Sequence, residues 1–104
     1  MCTIAIIGGS RESSIKKYVE SRGVTILFHD GKMNRPSSKY RSMIRKADVV
    51  TLMIDALNHN SMKTARGIAK ELKKPLVYTK GKGITLAIDL SLLEYEKQKL
   101  MMIY

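Results

Sequence analysis

Four short apolar runs in this chain each stop abruptly in a glycine or a charged turn, and an amphipathic segment separates each run from the next. The runs are residues 3–7, 24–28, 49–54 and 76–79, and their apolar residues are continuous rather than alternating. A strand with one face in water alternates apolar and polar side chains, so continuous runs imply strands covered on both faces. The segments between them read as helices. Ile15, Tyr18 and Val19 recur at helical spacing between a capping Ser10 and Gly23. Tyr40, Met43, Ile44 and Ala47 form a stripe behind Ser37 or Ser38, and Met62, Ala65, Ile68, Ala69 and Leu72 form another that stops at Lys73-Lys74-Pro75. A long apolar pattern from Leu86 ends in "LMMIY". Strand and helix alternating four times require right-handed crossovers and a parallel sheet. The expected fold is therefore a single α/β domain over residues 1–104, a three-layer sandwich around a four-stranded, mainly parallel sheet.

Composition narrows the class. Apolar residues make up 44% and charged residues 27% of the 104, close to a soluble globular average, which argues against disorder. No run approaches the roughly 18 apolar residues of a membrane span, and "MCTIAIIGG" lacks the basic segment and cleavage site of a secretory signal. The single Cys2 has no internal disulfide partner, which suits a reducing compartment, and reads as a strand residue rather than a nucleophile. The expectation is a cytoplasmic protein without a membrane partner.

Charge is the first functional clue. The formal net charge is +10, and such a field attracts polyanions and phosphorylated ligands. Lys32, Arg35, Lys39, Arg41, Arg45 and Lys46 follow one another without an acid, and from Lys63 to Lys82 Glu71 alone interrupts the bases. Solubility is the plain reading; nucleic-acid binding through these residues is the functional one. No helix-turn-helix or zinc reader is present, so duplex binding would be driven by the phosphate backbone. The few aromatics, several of them core candidates, argue against stacking on single strands.

In an open parallel sheet all strands point their carboxyl ends the same way, and ligands bind in the crevice outside those ends. Here Gly8-Gly9-Ser10-Arg11 follows the first strand, His29-Asp30-Gly31 the second, Asp55 and Asn58-His59-Asn60 the third, and Lys80-Gly81-Lys82-Gly83 the fourth. Both histidines of the chain thus belong to one edge. The opposite edge receives Arg22-Gly23, Lys46-Ala47-Asp48 and Lys74-Pro75, which read as helix stops. Each strand-end motif also has a plain reading. Gly8-Gly9-Ser10 is a tight turn or, with a helix N-terminus behind it, an anion cradle; neither G-x-G-x-x-G nor a phosphate-loop signature is present. His29-Asp30-Gly31 is a turn or part of a pocket. Asn58 or Asn60 caps a helix. Asp55 and His59 form a structural or a functional pair. A metal centre needs several convergent ligands in closely spaced motifs, and none appears, so neither metal nor cofactor is expected. A hydrolytic triad lacks its G-x-S-x-G elbow. Histidine titrates near neutral pH, so His29, Asp55 and His59 stand as candidates for acid–base work.

Taken together, Thr3-Ile4-Ala5-Ile6-Ile7-Gly8-Gly9-Ser10, Phe28-His29-Asp30-Gly31, Ala47-Asp48-Val49-Val50 and Asp55-Ala56-Leu57-Asn58-His59-Asn60 resemble a family of small bacterial proteins known as a domain of unknown function with a Rossmann-like fold. The resemblance runs from the first strand to the fourth. It implies that fold and a pocket shared at those positions, and it implies no reaction. The chain departs from the pattern at Lys80-Gly81-Lys82-Gly83, where a Ser or Arg turn is usual, and in a longer tail over residues 94–104.

The resulting expectation is a basic binding protein for a phosphate-bearing partner, nucleic acid or a phosphorylated small molecule such as a nucleotide. Gly8, Gly9, Ser10 and Arg11 would cradle phosphate, Lys80 and Lys82 would close over it, and His29, Asp30, Asp55, Asn58 and His59 would orient the polar remainder. One alternative is an enzyme of nucleotide or phosphoester chemistry with His29 or His59 as acid–base; another is a protein-interaction module. Leu90, Leu93, Leu100 and Tyr104 are expected to share the sheet-facing side of the last helix. Met101, Met102 and Ile103 then leave an apolar end that points to a homodimer.

Overall fold

The computed structural model describes residues 2–8, 15–29, 37–80 and 83–103. Strand β1 (Cys2–Ile7) leads to α1 (Ile15–Arg22), β2 (Val24–His29) to α2 (Ser37–Lys46), and β3 (Val49–Met53) through one 3-10 turn (Ile54–Ala56) to α3 (His59–Glu71). Strand β4 (Leu76–Thr79) precedes the last helix, α4 (Ile84–Ile103). The strands form one sheet in the order β2-β1-β3-β4, and every pairing is parallel. Registers such as Ile6 with Phe28 and Thr51, and Thr51 with Val77, bring the four carboxyl ends to one edge.

Alternation along the two central strands divides the core into layers. Ala5, Ile7, Val50 and Leu52 face α2 and α3, packing with Tyr40, Ile44, Ala47, Ala65, Ile68 and Ala69. Ile4, Ile6 and Met53 face the other way, against Ile84, Ala87 and Ile88 of α4, with Val19 of α1 partly buried beside them. An exposed ion pair spans each helical layer, Arg41 to Glu71 at 2.5 Å and Arg22 to Asp89 at 3.3 Å. At such exposure these pairs add little stability. Across the amino edge, Thr3 and Asp48 clasp each other: the Thr3 amide donates to Asp48 Oδ2 at 2.8 Å, and the Asp48 amide donates to the Thr3 carbonyl at 2.7 Å.

Three details differ from the expectations drawn from the sequence. Strand β3 ends at Met53, because Ile54 already turns into the 3-10 segment. Helix α4 begins at Ile84, not Leu86. The face of α4 that meets the sheet is also different. Ile84, Ala87, Ile88 and Ser91 are buried there, while Leu93 is 68% and Leu100 58% exposed and Leu90 is only partly buried; Tyr104 lies outside the described residues. The helix is apolar on both sides, so apolar spacing alone does not select a face. Close approach does. Ala87 and Ser91 are small, and the Ser91 hydroxyl bonds the buried Thr51 hydroxyl in the middle of β3. Ser91 gives its one hydrogen to the Ala87 carbonyl at 2.6 Å, which makes Thr51 the donor of that pair.

Two glycines test this geometry in opposite directions. At Gly8 φ is +112°, and a Cβ there would stand 2.8 Å from the Met53 carbonyl oxygen. Gly8→Ala is expected to cost at least about 2 kcal/mol in urea unfolding, since backbone strain and collision add. Gly67 is in the middle of α3, with nothing within 4 Å of the place a Cβ would take. Gly67→Ala is expected to stabilise by about 0.5–1 kcal/mol in the same measurement.

Candidate functional site

From β1 the chain crosses to β2 on one side, and from β2 it returns past β1 to β3 on the other. The winding therefore reverses between β1 and β3, where doubly wound sheets open their crevice. Gly8 occupies this point. Its amide donates to the His29 carbonyl at 2.8 Å, closing the end of β1 onto β2. Its missing side chain admits the Met53 carbonyl oxygen and Leu57 Cγ, at 2.8 and 3.2 Å from where a Cβ would stand. Glycine is thus required here by the approach of β3, whatever else binds.

The stretch after β3 supplies the other wall. Asp55 is exposed on the 3-10 turn, and His59 is exposed as the first residue of α3. Asn58 is the N-cap of α3: its backbone is extended at φ −76°, ψ 161°, and its side-chain oxygen accepts from the Ser61 amide at 2.7 Å. That bond satisfies one of the helix's free donors and commits the carbonyl that Asn58 would offer a ligand. His29, half-buried at the end of β2, packs its ring edge-on against Tyr40, centroids 4.8 Å apart at 79°. Strands β2 and β3 are separated by β1, about 9.6 Å at ordinary strand spacing. The two histidine segments therefore flank the end of β1 from opposite sides.

Lys80 is exposed directly after β4. Gly9, Ser10, Arg11, Asp30 and Lys82 lie outside the described residues, as do Lys32 and Arg35 of the basic series. The rest of that series is on α2. Lys39, Arg45 and Lys46 are exposed, whereas Arg41 is tied to Glu71 of α3. Lys63, Arg66 and Lys70 are exposed on α3, so the α2/α3 layer carries seven bases with Glu71 as the acid of those two helices. Among the described residues no three His, Cys, Asp or Glu side chains converge as metal ligands do, and no helix is long and apolar enough to cross a membrane.

Two polar residues at this edge were not among the site residues expected from the sequence. Ser61, in the first turn of α3, and Thr79, the last residue of β4, are buried, and their hydroxyl oxygens have no hydrogen-bond partner among the described residues. A buried unmet hydroxyl costs free energy, which marks this edge as a place where polar contacts are incomplete. The signal for Thr79 was a polar side chain closing the otherwise apolar run "LVYT"; Ser61 was hidden by its role in the helix start. The amino edge, expected to hold only helix stops, is also concave. A recess of about 450 Å³ there is lined by Asp48, Lys73, Lys74, Pro75, Tyr95, Gln98 and Lys99. Its basic wall is nonetheless the stop of α3: Lys73 takes a left-handed φ of 57°, and the Lys74 amide returns to the Ala69 carbonyl at 2.8 Å.

Cys2 is buried, and burial, reinforced by the nearby Asp48 carboxylate, pushes its thiol up to about 11. At neutral pH it is a protonated core residue, not a nucleophile.

Comparison with known proteins gives a family without an assigned reaction. Residues 3–93 match the family described as "Uncharacterized protein conserved in bacteria (DUF2325)". A UPF0751 protein of Bacillus anthracis is 36% identical over 93 residues, covering 88% of this chain and 94% of its own length. A UPF0751 protein of Bacillus cereus has the same identity and coverage. One from Desulfitobacterium hafniense is 30% identical over 95 residues, covering 89% of this chain and 92% of its own. No solved structure gives a significant match.

The geometry separates the capping residue from its exposed neighbour. Asn58→Ala is expected to lower unfolding free energy by about 1 kcal/mol through loss of the cap. His59→Ala is expected to change it by less than about 0.5 kcal/mol, since His59 is exposed. Equal losses in chemical denaturation would contradict this division.

Proposed function

We propose that this chain, which belongs to the bacterial family described as an uncharacterized protein conserved in bacteria, is a small cytoplasmic binding protein whose partner is a nucleic-acid phosphate backbone. The observation that carries this reading is the charge of the α2/α3 layer. Lys39, Arg45, Lys46, Lys63, Arg66 and Lys70 are all exposed on two helices that share one acid, Glu71. An array of cations on one flat layer suits a polyanion better than it suits a single small phosphate. The crevice at Gly8 adjoins this layer, because α3 begins there. Free amides at a helix start and Lys80 across the edge favour an anionic group at the same end.

Binding is favoured over catalysis by the placement of the histidines. The ring of His29 is packed on Tyr40, and His59 stands on the far side of β1, so the two imidazoles do not form an acid–base couple across one reacting atom. A nucleotide held at the crevice is the second reading, and it rests on the buried Ser61 and Thr79 hydroxyls rather than on the basic layer.

The test is fluorescence anisotropy with a short DNA duplex across a salt series. If about four phosphates are neutralised, affinity falls on the order of a hundredfold between about 50 and 200 mM salt. Combined Arg45→Glu and Lys46→Glu substitution is expected to weaken binding at least about tenfold and to flatten the salt slope. Lys99→Glu, on the other helical layer, is expected to change affinity by less than about threefold. Absence of binding at low salt, or binding indifferent to salt, would overturn the proposal.

A further inference from the structure

Helix α4 is too long for the sheet it covers. Its Ser91 meets Thr51 in the middle of β3, and the helix runs on to Ile103, about 18 Å further. From Thr51 back to Val49, where β3 begins, is only about 7 Å. The last turns of α4 therefore overhang the amino edge of the sheet. Tyr95, Gln98 and Lys99 from these turns form one wall of the recess of about 450 Å³, and Asp48 and the Lys73-Lys74-Pro75 turn form the rest. Sites for small molecules fall within about 300–1,000 Å³.

The charge of this lining has a sign. Among the described residues it carries three lysines and one carboxylate, and Asp48 already accepts the Thr3 amide through Oδ2 at 2.8 Å. Lys99 is placed by Tyr95, with its Nζ 5.0 Å from the centre of the ring. Lys73 is the sharper sign. Helix α3 stops in a Schellman motif: the Lys73 amide donates to the Lys70 carbonyl at 3.2 Å, and the Lys74 amide to the Ala69 carbonyl at 2.8 Å. The residue after the cap must be left-handed, and Lys73 takes φ 57°. Glycine meets this need without strain, and the same chain uses Gly23 at φ 64° directly after α1. Nor does the helix dipole require a lysine here, since Lys70 already puts a base in the last turn. The helix stop accounts for the backbone at residue 73 and leaves its strained lysine unexplained. Strain retained where folding does not need it points to function.

We infer that this recess binds a small molecule bearing a doubly charged phosphate group. Ammonium groups act as point charges on phosphate and do not need the planar match that a carboxylate offers arginine. Tyr95 and Pro75 give the recess an apolar side for the body of a phosphate ester. Free phosphate carries the same charge and leaves that side unused. The inference goes beyond the nucleic-acid reading, since it uses none of the α2 and α3 bases named there, and it concerns the edge opposite the Gly8 crevice.

The test is an amide-resolved NMR titration of the full chain at about pH 7.5, where the phosphate is mostly dianionic, with adenosine monophosphate and, separately, inorganic phosphate. Adenosine monophosphate is expected to bind with a Kd on the order of 0.1–1 mM, shifting the amides of Lys73, Lys74, Tyr95 and Lys99 but not those of Gly8 and Ser61. Inorganic phosphate at least about tenfold weaker would assign an ester; equal affinity would assign free phosphate. Lys73→Gly is expected to weaken binding at least about fivefold while raising the urea midpoint, because it removes a charge and the backbone strain together. A lysine of purely structural meaning would raise the midpoint and leave affinity alone. Lys99→Gln is expected to weaken binding similarly, and Lys97→Gln, outside the recess, by less than about twofold. No shift with either probe at about 10 mM, shifts confined to Gly8 and Ser61, equal shifts from chloride at matched ionic strength, or full affinity in Lys73→Gly would each overturn the site.

Discussion

All five side chains of β3 are buried, and this constraint orders the rest of the structure. A strand with no solvent face needs helices on both sides of the sheet, so the chain must wind in both directions from its centre. The reversal then falls between β1 and β3. Those strands pack so closely at their carboxyl ends that the residue after β1 has no room for a Cβ: Gly8 is fixed by the Met53 carbonyl. The hydroxyls of Thr51 and Ser91 fit the same logic. A hydroxyl in a fully buried strand is tolerated only with a partner, and that partner fixes which face of α4 meets the sheet. The candidate site, the α4 register and the exposed leucines of that helix all follow from one strand that cannot touch water.

The fold was legible in the sequence because each local pattern agreed with the global one. Continuous apolar runs at residues 3–7 and 49–54 marked two-sided burial, and Gly23 and Lys73-Lys74-Pro75 marked helix ends that the structure reproduces within a residue or two. The facing of α4 was not legible. Leu90, Leu93 and Leu100 satisfy helical spacing as well as Ile84, Ala87, Ile88 and Ser91 do, and the decision rests on small residues and a cross-layer hydroxyl pair. The site was legible as an edge and less so as a set of roles. Topology alone placed Gly8, His29, Asp55, His59 and Lys80 at strand ends. That Asn58 is spent on a helix cap, and that Tyr40 holds the His29 ring, depends on tertiary contacts that no motif encodes. Ser61 and Thr79 were hidden for a related reason: a hydroxyl's lack of a partner is a property of its surroundings, not of its neighbours in sequence.

The two helical layers carry different chemistry, and the division has a physical consequence. On α2 and α3 the exposed charged positions are basic apart from Glu71, while α4 carries Asp89, Glu94 and Glu96 as well as Lys97 and Lys99. Like charges on a basic layer repel a second basic layer and attract anions. The mixed, apolar α4 face lacks that penalty. The helix apolar on both sides and the helices basic on their outer side lie on opposite faces of the same sheet, and burial of β3 on both faces puts them there.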